Sequence, residues 1–174
     1  EIDKARLSGL QSSPIMQAIE SMVERGMPSI EELWVILPRI VSSSVGVPSK
    51  LAASRVLTLT CLQTYGGKKF ASRKLMRATS QELFGQNKVC SESYASTMGY
   101  LFRHTPLNLV VDFMNEIREK YISSEPDDTD KRYLVSLALK KISANASDVF
   151  STVASVGLPL AYIGMIASEE DQNE

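Results

Sequence analysis

The residues of this chain best suited to nucleophilic or metal chemistry are its single histidine, His104, and its two cysteines, Cys61 and Cys90. A histidine base needs a nucleophile within hydrogen-bond reach and a third group to orient its ring. The sequence locates neither. His104 ends a helical pattern just before Pro106, where an imidazolium meets free carbonyls and the helix dipole, so the residue is expected to cap rather than to catalyse. Cys61 and Cys90 lie within apolar helical patterns, where a free thiol behaves as a small buried hydrophobe and suits a reducing compartment. No CxxC and no histidine pair occurs, so no zinc or other metal site is expected. Gly46, in VGVPSK, lacks both the glycine spacing of a phosphate-binding loop and a preceding strand. The chain thus offers no catalytic, metal or cofactor set, and a non-enzymatic role is expected.

The strongest charge feature is the basic run Lys68, Lys69, Arg73, Lys74 and Arg77. It reads either as a solvated helix face or as a docking patch for an acidic protein surface, where charge speeds association and sets register. Nucleic acid is not expected as a partner, because the net charge is −1 and no aromatic platform is interleaved on the exposed side of the basic run. Trp34, the only tryptophan, keeps register with Ile30 and Leu37 and is expected in the core rather than as an exposed anchor.

The elements that carry these residues all read as helices. With 174 residues, 44% apolar and 22% charged, the chain is in the ordinary range of a globular domain. Ser13 and Pro14 start a leading helix. Ser29 and Glu32 form a capping box, after which Ile30, Leu33, Trp34, Leu37, Ile40 and Val41 follow the amphipathic template. Pro38 falls inside that pattern and predicts a bend or break. Ser42, Ser43, Ser44 and Gly46 read as a loop, and Pro48 starts a helix with Ala53, Val56, Leu57, Thr60 and Cys61 inward.

Gly66 and Gly67 stop that helix, and the basic run reads as the next one. Asn87 to His104 follows with Tyr94, Ala95, Met98, Leu101 and Phe102 inward. After Pro106, the inward face is read as Leu107, Val110, Val111, Met114, Ile117 and Tyr121. Acidic residues from Glu125 to Asp130 cap a helix carrying Leu134, Val135, Ala138, Leu139 and Ile142. From Val149 to Ser168 there is no charge. This stretch is long enough to span a bilayer, but its serines, glycines and proline favour a buried helix, so no membrane span is expected. Sustained alternation of apolar and polar residues is absent, and the fold class is all-α.

Alternate helices superimpose. Ala53, Val56 and Leu57 match Ala95, Met98 and Gly99, then Val135, Ala138 and Leu139, at offsets of about 40 residues, the period of HEAT and armadillo arrays. A small residue recurring on the second helix is expected to let the first helix of its pair approach closely. The reading is a HEAT-like α-solenoid: a leading helix at 10–28, units at 29–67, 68–105 and 106–145, the first helix of a further unit at 146–168, and an acidic tail at 169–174. The chain looks like a piece of a longer protein, with open repeat ends through which it can self-associate.

Three blocks carry a more specific likeness. VSSSVGVPSKLAASRV (Val41 to Val56), ASTMGYLFR (Ala95 to Arg103) and SDVFSTVASVGLPLAYIGMIASEEDQ (Ser147 to Gln172) resemble, in order, segments of the large proteasome-associated HEAT-repeat adaptor family, in its fungal-type form. The resemblance implies an internal or C-terminal-half fragment of a scaffold that tethers the proteasome core particle to its regulatory particle. Implied partners are subunits of both particles, and implied locations are cytoplasm and nucleus. Val45, Gly46, Pro48 and Lys50 are the best-matching surface-loop candidates for partner binding, beside Lys68, Lys69, Arg73, Lys74 and Arg77. A HEAT-repeat nuclear-transport receptor or coat scaffold is the alternative, distinguished by small-GTPase binding.

Overall fold

The computed structural model describes residues 29–123 and 129–146, with Ser21, Met22, Glu24 and Arg25 ahead of them. Apart from Ala146, the expected helix at 146–168, its uncharged run and the acidic tail lie outside the described residues, as does most of the leading helix. Six α-helices occupy the described part: α1 (Ile30–Ser43), α2 (Val47–Gln63), α3 (Arg73–Leu83), α4 (Lys88–Leu101), α5 (Leu107–Ser123) and α6 (Thr129–Asn145). A 3-10 turn, Phe102–His104, follows α4, and there is no strand among the described residues.

Side chains written into the sequence set the helix starts. Ser29 Oγ accepts from the Glu32 amide at 3.4 Å and Glu32 Oε2 from the Ser29 amide at 3.1 Å, completing the capping box of α1. Ser72 caps α3 by accepting from the Leu75 amide, and Asn87 caps α4 through the Cys90 amide. The basic run therefore does not form one helix. Lys68 and Lys69 precede the Ser72 cap in extended chain, and the helix begins at Arg73.

Pro38 does not break α1, which continues to Ser43. The serines assigned to the loop are partly helical instead. Ser42 donates to the Pro38 carbonyl at 2.7 Å, Ser43 to Arg39 and Ser44 to Ile40, both at 2.6 Å. Three hydroxyls thus bond back onto carbonyls one turn earlier, near the end of the helix. The connection shrinks to Ser44–Gly46, where Gly46 takes φ 80° and ψ 158°, a backbone region open essentially to glycine alone.

Helices pair as α1 with α2, α3 with α4 and α5 with α6, and like helices also touch. One layer is α1, α3 and α5; the other is α2, α4 and α6. The core lies between the layers. Leu33, Leu37, Leu57, Met98, Leu101, Leu139 and Ile142 are fully buried, each side chain contributing about 1.5–3 kcal/mol relative to exposure. Every inward residue read for α2, α4 and α6 is buried. In α5 the face is rotated: Leu107 is 45% exposed, while Leu109 and Phe113 join Val110, Met114 and Ile117 inside.

Gly99, which stands where α2 and α6 carry Leu57 and Leu139, marks a close helix approach of its own. A β-carbon on Gly99 would lie 2.5 Å from the Lys141 carbonyl oxygen, so it is α6, the next second-layer helix, that approaches there. Between α2 and α4 the approach is polar. Ser54 Oγ lies 2.6 Å from Ser93 Oγ and 3.0 Å from Thr97 Oγ1, which is also 3.0 Å from Thr58 Oγ1. Short side chains bring the helices close, and the hydroxyls satisfy one another inside the interface.

Candidate docking groove

An open groove of about 820 Å³ runs between α1 and α3. On α1 its wall is Glu31, Val35, Pro38, Arg39 and Ser42, and on α3 it is Lys74, Arg77, Ala78 and Gln81. Both sets recur at helical spacings of three and four residues, so each wall is one stripe of one helix. Between them lie Trp34 and Phe70, with rings stacked at 5.9 Å and an interplanar angle of 9°.

The floor is fixed by bonds between elements distant in sequence. Trp34 is buried as expected, and its Nε1 donates to Thr64 Oγ1 at 3.0 Å. The Thr64 hydroxyl in turn donates to the Thr60 carbonyl at 2.6 Å. The Ala71 amide donates to the His104 carbonyl at 2.9 Å, pinning the extended segment ahead of α3 against the 3-10 turn.

The groove is cationic. Lys68 Nζ sits 4.8 Å above the Phe70 ring and 3.9 Å from Glu31 Oε1, so its charge is partly matched. Arg39, Lys74 and Arg77 have exposed side chains and form no ion pair among the described residues. Val35 adds an apolar contact surface, 79% exposed.

The structure divides the sequence-derived candidates. Lys68, Lys74 and Arg77 line the groove together. Lys69 is turned elsewhere, its Nζ donating to the Arg103 carbonyl at 2.7 Å. Arg73 binds Asp112 of α5 at 2.9 Å, an exposed pair worth about 0–1 kcal/mol. In the other group, Val45 and Gly46 are exposed and Pro48 is half-buried, whereas Lys50 lies 2.9 Å from Glu82 Oε2 on α3. Arg39 and Val35 were not singled out by sequence. Their signal was an apolar and a basic residue four apart on the α1 face away from its core stripe.

His104 does not cap its own helix as an imidazolium. The ring is buried, 5.5 Å from Trp34, with Nε2 2.9 Å from the Cys61 carbonyl of α2. A carbonyl only accepts, so Nε2 carries the proton and Nδ1 is left without a partner. Burial holds its pKa below the ordinary histidine value despite the Cys61 bond, and Lys69 and Arg103 push the same way as burial. Burial also raises the thiol pKa values of Cys61 and Cys90, the reverse of an activated nucleophile. Among the described residues no three His, Cys, Asp or Glu cluster as metal ligands, and no helix is long and apolar enough to cross a membrane.

Residues 1–122 match the family described as the proteasome adapter and scaffold protein ECM29, HEAT-repeat domain. The chain is 29% identical to the proteasome component ecm29 of Schizosaccharomyces pombe over 170 residues, covering 96% of the chain and 10% of that protein. It is 28% identical to the proteasome component ECM29 of Saccharomyces cerevisiae, covering 99% of the chain and 9% of that protein. Against the human proteasome adapter and scaffold protein ECM29 the identity is 30%, covering 97% and 9%. The chain thus spans about a tenth of the length of these relatives. No solved structure matches it. These likenesses do not favour a nuclear-transport receptor or coat scaffold. With its paired helices in two layers, the chain belongs to the HEAT-repeat domain family of the proteasome adapter and scaffold protein ECM29.

Proposed function

We propose that this chain is a non-catalytic adaptor segment that binds proteasome subunits and helps tether the core particle to the regulatory particle, in cytoplasm and nucleus. Family membership supports the reading, and the observation that carries it is the open, cation-lined groove between α1 and α3. The same geometry suits a binding surface better than a reaction centre, because its walls carry cations and apolar side chains but no nucleophile and base in contact. Binding is multivalent: each repeat adds a modest contact, and linkage raises the effective concentration of the next. The test is capture of proteasomes from lysate by the parent protein with and without this segment. Reduced capture on deletion supports the adaptor role, and a parent that brings down no proteasome ends it.

A further inference from the structure

The groove's walls have the period of a helix. From Glu31 to Ser42 the α1 stripe covers eleven residue steps, about 16 Å at the rise of an α-helix and about three of its turns. Ridges at that spacing receive the ridges of a third helix, the arrangement by which an amphipathic segment docks in a groove. Charge narrows the choice of segment. Arg39 stands on one wall, Lys74 and Arg77 stand on the other, and the only carboxylate lining the groove among the described residues, Glu31, faces Lys68.

We propose that the groove receives an acidic amphipathic helix of a partner protein, about three turns long. Apolar side chains of that helix seat on Val35 and Pro38, and its carboxylates meet Arg39 on one side and Lys74 and Arg77 on the other. The assignment rests on the adaptor reading and adds the chemistry of the partner. The apolar contact orients the helix, while the charges raise the association rate and reject basic segments. Nucleic acid fits less well, because Trp34 is buried and stacked on Phe70 and leaves no open ring face for a base.

The test is fluorescence anisotropy of the full chain with a labelled helical peptide of three turns, bearing leucines on one face flanked by glutamates. A matched peptide with glutamine at every glutamate is the control. The acidic peptide binds, the amide peptide binds at least about tenfold more weakly, and added salt narrows the gap. Lys74→Glu with Arg77→Glu, both at exposed positions, weakens the acidic peptide at least about tenfold while leaving the urea midpoint unchanged. Val35→Asp weakens it independently, and Lys140→Glu, exposed on α6, does not.

Equal binding of the two peptides, or full binding by the double variant, overturns the proposal. So does binding of oligothymidylate or phosphatidylserine vesicles in place of the acidic peptide. In the parent protein, proteasome capture lost on deleting the segment but kept in the double variant sinks the groove assignment alone. Capture unaffected by the deletion sinks the adaptor reading beneath it.

Discussion

Gly99 of α4 sits against the Lys141 carbonyl of α6, with room for a hydrogen but not for a methyl: a β-carbon there would stand 2.5 Å from that oxygen and 2.9 Å from its carbon. Both contacts are to backbone, which cannot swing aside as a side-chain tip would. Gly99→Ala gains about 1 kcal/mol of helix propensity but must separate the two helices, and overpacking of this kind costs about 1–3 kcal/mol. The variant is expected to have a lower urea midpoint with little change in helical circular dichroism.

The Trp34 to Thr64 hydrogen bond joins α1 to the end of α2 in a buried place. Thr64→Val keeps the shape and leaves the indole N–H without its acceptor, which costs about 1–3 kcal/mol. Trp34→Phe removes the donor too, so in a double-mutant cycle the double variant loses less than the sum of the two single losses. Additive losses in urea unfolding would show that the bond is not what couples these helices.

His104 predicts a pH dependence with a definite sign. Its folded pKa lies below that of the unfolded chain, so on acidification the unfolded state takes up the proton first. The contribution of the neutral ring to stability is complete above the ordinary histidine pKa of about 6.5 and declines as pH falls below it. Urea midpoints measured from pH 7.5 downward should show this fall in the native chain. His104→Gln, which can still donate to the Cys61 carbonyl, should remove that part of the slope.

Gly46→Ala places a side chain at φ 80°, where nothing but the backbone conformation opposes it, since the nearest atom is Pro48 Cδ at 4.0 Å. The expected cost is about 1–3 kcal/mol. A thermal midpoint equal to that of the native chain would mean that the Ser44–Gly46 connection relaxes into another turn.

Much of this arrangement was legible from local chemistry. Ser29 and Glu32 announce their helix because a capping box involves residues three apart, and the inward faces of α2, α4 and α6 follow from the helical period. In α5 the template failed by a rotation. Leu107, Leu109, Val110, Val111, Phe113 and Met114 are all apolar, so periodicity alone leaves two overlapping stripes, and contact with both α3 and α6 selects the one containing Leu109 and Phe113. The basic run misled for another reason. Ser72 is a stronger helix start than Lys68, but the charge pattern runs straight across it. The groove was the least legible feature, since it exists only where Arg39 and Val35 of α1 stand opposite Lys74 and Arg77 of α3, and that opposition is a product of stacking.

The turn Phe102–His104 has a mechanical consequence. Through the His104 ring it holds the end of α2, through the Arg103 and His104 carbonyls it holds Lys69 and Ala71 ahead of α3, and through the Arg103 side chain it holds the Asn145 carbonyl of α6. It acts as a rivet through three plates. Separating the first helix pair from the second must break the His104 bond, and separating the second from the third must break the Arg103 bond, so one short turn ties the middle pair to both of its neighbours.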